Sequence, residues 1–217
     1  MKIAVLASGG GSNLQALLDA RAAGQLGPTE IQVVAVNIAG CGALERAEKA
    51  GVPTIVLPHR NFAKREDFDL ALGDALCARD VDCLVLAGFM RIVGASFLDR
   101  FSRGVINVHP ALLPAFTGVN GQGQAFDYGV KVAGCTVHFV DGGVDTGPII
   151  AQAVVPVADS DTSESLRLRI LKQEHRLLPA VVRAHAEGRI ERHGRRVSVS
   201  GGLGLAASAD PVLINPT

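Results

Sequence analysis

Asn107 and His109 stand two apart in the run Val-Ile-Asn-Val-His-Pro-Ala-Leu-Leu-Pro, residues 105–114. If this apolar run is a strand, side chains two apart share a face, so the amide and the imidazole project together. Pro110 and Pro114 end regular structure beyond it. An amide beside an imidazole at a strand end suits acyl transfer. The amide holds a developing oxyanion, and the imidazole stabilises it or exchanges a proton. The decapeptide alone also reads as a core histidine next to a turn asparagine, so the surrounding elements have to decide. Downstream, Asp141 and Asp145 sit among glycines, a composition typical of a turn. Such a turn can set a carboxylate beside His109.

The 217 residues, 48% of them hydrophobic, suffice for one large domain with a sizeable core. Lys plus Arg equals Asp plus Glu at 21 each, so no global field draws in nucleic acid or an anionic membrane. Aromatic residues make up 4% with no Trp, which argues against a stacking platform for bases. Cys41, Cys77, Cys83 and Cys135 show neither C-x-x-C nor metal-ligand spacing. They read as small buried residues in a reducing compartment, and no metal is expected. No apolar run reaches transmembrane length, and residues 9–13 cut the first apolar segment short of a signal-peptide core. The expectation is a cytoplasmic protein with small-molecule substrates, no nucleic acid and no membrane.

The elements that would position the pair follow from hydrophobic periodicity. Residues 2–7 form an apolar run broken by Ser8-Gly-Gly-Gly11, and Ser12 opens an amphipathic stretch with Leu14, Leu17 and Leu18 at helical spacing. A glycine loop at a helix N-terminus exposes N–H groups to a phosphate, and serves equally as a tight turn. It is no dinucleotide fingerprint, because Leu14 stands where the third glycine belongs and Asn37 where the acidic residue belongs; nor is it a P-loop, lacking Gly-Lys-Ser/Thr. Strands are predicted over 31–36, 54–57, 83–86 and 105–108, with helices over 43–50 and 64–79 and a short one holding Phe97 and Leu98. This alternation implies an α/β fold, a doubly wound and mostly parallel twisted sheet in a single Rossmann-like domain. Ligands then sit beyond the carboxyl ends of the strands, where the loops 8–13, 88–93 and 107–114 converge. Beyond Pro114, residues 117–124 are glycine-rich and expected to form a mobile loop. Strands follow over 134–140 and 149–155, then a helix over 163–186 stopped by Gly188, its start marked by Asp161-Thr-Ser-Glu164. The domain is expected over 1–190. Residues 191–217 lack a periodic pattern and read as an edge addition or poorly ordered tail.

Six segments appear in order: Ala-Val-Leu-Ala-Ser-Gly-Gly-Gly-Ser-Asn-Leu-Gln (4–15), Gly-Phe-Met-Arg-Ile (88–92), Ile-Asn-Val-His-Pro-Ala-Leu-Leu-Pro (106–114), Gly-Cys-Thr-Val-His-Phe-Val (134–140), Asp-Thr-Gly-Pro (145–148) and Gln-Glu-His (173–175). Together they resemble the phosphoribosylglycinamide formyltransferase family, the folate-dependent glycinamide ribonucleotide transformylases of purine synthesis. The resemblance covers residues 1 to about 190. It implies transfer of a formyl group from 10-formyltetrahydrofolate, as cosubstrate, to the amine of glycinamide ribonucleotide, with no metal and no covalent intermediate. It leaves room for a homodimer.

By the same resemblance Asn107, His109 and Asp145 are the catalytic trio, Asp145 rather than Asp141 being selected by the motif. A carboxylate beside an imidazole favours the imidazolium. The turn Gly11, Ser12, Asn13 and Leu14 is implied to receive the ribonucleotide phosphate, and Glu174 its ribose or glycinamide part. Met90, Arg91, Ile92 and Val93, with Asn107 and with Val140, Asp141 and Val144, are implied to hold the folate, and Arg65 to approach it. Arg65 also reads as an ordinary helix-start charge, and Glu174 as a solvated helix face. His138 reads as structural. One departure concerns the loop after Pro114, where Gly121 and Gly123 replace bulkier side chains, so a softer lid is expected. Three rivals share features. Methionyl-tRNA formyltransferase carries an extra C-terminal domain for which the residues after 190 leave no room, and formyltetrahydrofolate hydrolase an added N-terminal regulatory domain. A non-catalytic nucleotide-binding module would need the glycine loop but not an aligned trio.

Overall fold

A computed structural model describes residues 1–205. Strands and helices alternate along the chain: β1 (Lys2–Ala7), α1 (Ser12–Ala22), β2 (Glu30–Val36), α2 (Gly42–Lys49), β3 (Thr54–Val56), a 3-10 turn (His59–Asn61), α3 (Arg65–Cys77), β4 (Cys83–Leu86), α4 (Ala95–Leu98) and β5 (Val105–His109). Then come α5 (Gly121–Tyr128), β6 (Val132–Phe139), β7 (Ile149–Pro156), α6 (Ser163–Ala186), β8 (Ile190–His193) and β9 (Arg196–Val199). The first seven strands form one sheet in the order β3-β2-β1-β4-β5-β6-β7. β1 to β5 are parallel, whereas β6 runs against both β5 and β7. The strand order reverses between β1 and β4, so the crevice at a topological switch point lies between the loops that follow them.

The near-continuous apolar strands are buried on both faces, as a helix-covered parallel sheet requires. Ile3, Val5 and Ala7 face one layer with Leu14 and Leu17 of α1 and Leu166, Ile170 and Leu177 of α6. Ala4 and Leu6 face the other, against Phe68, Leu72 and Leu76 of α3 and Phe97 of α4. α6 begins with a reciprocal capping box: Thr162 Oγ1 accepts from Ser165 N–H at 3.1 Å and Ser165 Oγ from Thr162 N–H at 2.9 Å. Along β5, Val105 belongs to the α3/α4 face and Ile106 and Val108 to the α1/α6 face. Asn107 and His109 therefore emerge on the side covered by α3 and α4.

Two expectations need correction. The segment 117–124 is not loop throughout, because α5 starts at Gly121 and runs to Tyr128. Glycine weakens a helix by about 1 kcal/mol against alanine, yet Gly121 is buried where a Cβ would come within 2.9 Å of His109 Nε2 and 2.8 Å of the Phe116 carbonyl oxygen. Close approach overrides propensity here. In addition, Cys77 is exposed, unlike the other three cysteines. Past residue 190 the described chain follows the edge-addition reading. β8 and β9 pair as an antiparallel hairpin that packs Ile190, Val197 and Val199 onto the core, and Leu203 is buried. Residues 206–217 of the expected tail lie outside the described residues.

Candidate active site

The antiparallel register of β5 and β6 sets Asn107 opposite His138 and His109 opposite Thr136. Directly opposed residues share a face, so Asn107, His109 and His138 form one polar patch. The turn after β6 closes through Phe139 N–H donating to the Pro148 carbonyl at 2.9 Å. Inside it Asp141 Oδ1 accepts from Gly143 N–H at 3.1 Å and from the Thr146 hydroxyl at 2.6 Å. Burial pushes the Asp141 carboxyl up, but these two bonds together with Arg195 and His138 outweigh it and leave it below its ordinary range. Asp141 is the turn former. Asp145, at a left-handed φ of 53°, is the aspartate delivered to the histidine.

Asp145 Oδ2 lies 3.3 Å from His109 Nδ1 and accepts the Gly118 N–H at 2.8 Å. Its Oδ1 lies 3.5 Å from Asn107 Nδ2 and 3.6 Å from His138 Nε2. Burial pushes the Asp145 carboxyl up, but the His138 bond, the Gly118 N–H and the charge of His109 together hold it below its ordinary range. His109, 4% exposed, has its Nε2 2.8 Å from the Phe116 carbonyl oxygen. A carbonyl and a carboxylate can only accept, so a ring bearing both protons satisfies both neighbours. His138, read from the sequence as structural, is buried beside the trio. Its Nδ1 lies 2.9 Å from the Phe139 carbonyl oxygen, and its Nε2 lies between Asn107 Nδ2 at 3.1 Å and Asp145 Oδ1 at 3.6 Å. It thereby helps orient the Asn107 amide, whose nitrogen also donates to Asp145 Oδ1 at 3.5 Å.

The trio opens into a cavity of about 440 Å³, walled by residues of the 88–93 loop, Asn107–Pro110, Gly118–Asn120, His138 and the 140–145 turn. Met90, Arg91, Ile92, Val93, Val140, Asp141 and Val144 all line it. Met90, Ile92, Val119 and Val144 leave exposed apolar side chains at its rim. Arg91 stacks its guanidinium 5.0 Å over the Phe68 ring. Arg65 does not line the cavity; it sits exposed at the start of α3, 3.4 Å from Glu66.

At the adjoining loop, Gly11 caps α1 with φ 73° and no side-chain cap, so the first-turn N–H groups have no side-chain partner at the cap. A Cβ there would come within 2.7 Å of Ala43 Cα, so only glycine fits. Arg46 ties the loop down, its Nε donating to the Gly10 carbonyl at 2.8 Å. Ser12, Asn13 and Leu14 all lie in this turn, Leu14 with its side chain wholly in the core. Asn13 Nδ2 donates to Glu174 Oε2 at 2.6 Å. Glu174 is 6% exposed, and burial raises its carboxyl despite the Asn13 bond and the charge of Arg167. The reading of Glu174 as a solvated helix face is therefore excluded. A larger groove of about 810 Å³ between α1 and α6 lies away from the trio. Among the described residues no group of three or more His, Cys, Asp and Glu is placed to share a metal ion, and no helix is long and apolar enough to cross a membrane.

Comparisons with known proteins agree on this architecture. Residues 1–182 match the formyl transferase family model. The phosphoribosylglycinamide formyltransferase of Mycobacterium tuberculosis is 46% identical over 205 residues, covering 91% of this chain and 94% of that protein. The trifunctional purine biosynthetic protein adenosine-3 of Chironomus tentans is 45% identical over 188 residues, which is 86% of this chain but only 14% of that much longer protein. A crystal structure of glycinamide ribonucleotide transformylase 1 from Symbiobacterium toebii superimposes with a TM-score of 0.89 at 49% identity, covering 92% of this chain and 93% of that one.

Proposed function

The chain belongs to the formyl transferase family, and from that premise we propose that it transfers the formyl group of 10-formyltetrahydrofolate to the amine of 5'-phosphoribosylglycinamide in purine synthesis. The observation that carries this reading is the approach of Asp145 to His109 at 3.3 Å, beside Asn107, at the mouth of a 440 Å³ cavity. The cavity takes the folate, whose ring pairs with backbone groups of residues 90–93 and 140–144. The N–H groups after Gly11 take the phosphate, and Glu174 takes the ribose or glycinamide part.

The amine lone pair attacks the formyl carbon, forming the new C–N bond as the carbonyl electrons move onto oxygen. The Asn107 amide, turning a hydrogen from its 3.5 Å contact with Asp145, and a protonated His109 stabilise that oxyanion. A formyl oxygen arriving at the imidazole displaces one of its two resting acceptors. Asp145 holds the ring and helps remove the proton lost by the amine. Collapse of the tetrahedral intermediate breaks the bond to the folate nitrogen, which leaves with a proton as tetrahydrofolate. No step calls on a metal ion or on an enzyme nucleophile.

The deciding assay mixes purified protein, the ribonucleotide and 10-formyltetrahydrofolate and follows absorbance. Ribonucleotide-dependent release of tetrahydrofolate, abolished by Asp145→Ala, is the expected result. Release without the ribonucleotide would identify a hydrolase. No turnover under either condition would leave a binding module.

A further inference from the structure

Three strand ends meet at one buried hydroxyl. Ser8 follows β1, Asn37 follows β2, and the 88–93 loop follows β4. The Ser8 backbone N–H donates to the Gly88 carbonyl at 3.0 Å. Its hydroxyl accepts the Met90 N–H at 2.8 Å and donates to Asn37 Oδ1 at 2.6 Å. Ser8 is 6% exposed and Asn37 2%. Beyond Asn37 the chain of contacts reaches His59, whose Nδ1 lies 3.1 Å from both the Asn37 amide nitrogen and the Asn37 carbonyl oxygen. The switch-point crevice thus has a polar spine linking the first residue of the glycine loop to the loop that walls the folate cavity.

We infer that Ser8 is a positioning residue for the formyl donor, and that Asn37 acts through it by fixing the direction of the Ser8 hydroxyl proton. The inference rests on the proposed transferase reading. A serine hydroxyl has one proton and two lone pairs. With the proton held by Asn37 Oδ1, a lone pair is aimed at the Met90 N–H. That bond sets the plane of the peptide entering Met90, and with it the direction in which residues 90–93 present their remaining N–H and C=O groups to a flat heterocycle. Asn37 stands where a dinucleotide-binding fold keeps the acidic residue that reads a ribose. Here the same position is turned inward, toward Ser8, so the spine serves loop geometry and not ligand contact.

The test uses the full chain as wild type, Ser8→Ala, Asn37→Ala and the double variant. Calorimetry gives the Kd for tetrahydrofolate, and steady-state kinetics give kcat and both KM values. Removing the hydroxyl leaves the Met90 N–H unpaired, so Ser8→Ala is expected to weaken tetrahydrofolate binding and raise the donor KM roughly five- to twentyfold. Saturated kcat and the ribonucleotide KM should stay within about twofold of wild type. Asn37→Ala should move the donor KM in the same direction by less, and the double variant should match Ser8→Ala within about twofold, because the two residues act in series. Donor affinity unchanged in Ser8→Ala, or independent additive losses in the double variant, would overturn the inference. If Ser8→Ala does not fold, an unchanged donor KM in Asn37→Ala overturns it alone. A wild type that binds no tetrahydrofolate removes the transferase reading itself, and the positioning role with it.

Discussion

Asp145 meets His109 from a left-handed backbone, its Oδ2 3.3 Å from Nδ1, on a turn that follows a strand running against the one that bears the histidine. The pair is assembled by two chain segments on opposite strand directions, and His138, opposite Asn107, stands between them. Four expectations about activity and stability follow from this and the neighbouring contacts.

Replacing Asp145 by Asn keeps the shape and removes the charge. Turnover should fall roughly 10²–10⁴-fold, the range for a group that assists proton transfer. The Asp145 carboxyl is held below its ordinary range. Its ionised form thus stabilises the fold at any pH above the unfolded-state value, and that contribution disappears as pH falls through the lower folded value. Melting curves should therefore show wild type above Asp145→Asn at neutral pH, with the gap closing in strong acid. A gap that widens in acid would reverse the assigned direction.

His109→Asn should lose most turnover while circular dichroism and both substrate affinities stay near wild type. Normal turnover in this variant would take the imidazole out of the mechanism. Loss of affinity together with rate would instead make His109 a binding group.

Glu174 is a buried acid with a raised carboxyl. Such a group opposes folding once pH exceeds its unfolded value, and the cost is absent where it is protonated in both states. Glu174→Gln retains an acceptor for the Asn13 amide. It should therefore melt higher than wild type at about pH 8, with the gain fading toward about pH 4. At the same time the ribonucleotide KM should rise roughly tenfold, as expected when one charge-assisted contact is lost. A variant that gains stability without losing affinity would separate Glu174 from the substrate.

Gly147 follows Asp145 by two residues, and a Cβ there would overlap the Phe139 carbonyl oxygen, a backbone atom that cannot step aside. Gly147→Ala should push the 140–148 turn off β6. A loss of stability of about 1–3 kcal/mol in urea unfolding, with turnover reduced more than tenfold, is the expected outcome. Wild-type turnover would mean that the turn has another way to seat Asp145.

Much of the frame was legible because its signals are local. β1, its glycine break and the leucines of α1 are read from period and punctuation alone, and the bounds of α6 follow from Thr162 and Gly188. The Asn107–His109 pair needs only the two-residue period of a strand. What escaped is long-range. In β6 nearly every residue is buried, from Ala133 to Phe139, so alternation does not say which face His138 takes; only its register against Asn107 does. In α5 Gly121 is dictated by the His109 ring and the Phe116 carbonyl rather than by the helix, so composition pointed to loop. Asn37 looked like a missing acidic residue because its partner, Ser8, is 29 positions away in sequence.

The rim of Met90, Ile92, Val119 and Val144 also has a calorimetric meaning. Their exposures of 70%, 55%, 78% and 45% leave ordered water over apolar surface at one end of the active site. A ligand lying across that rim returns the water to bulk, and the heat capacity of the system drops. Capture of the folate should grow more exothermic with every degree of warming, while capture of a phosphate on bare N–H groups should show little such slope. The two substrates of one enzyme would then be told apart by temperature alone.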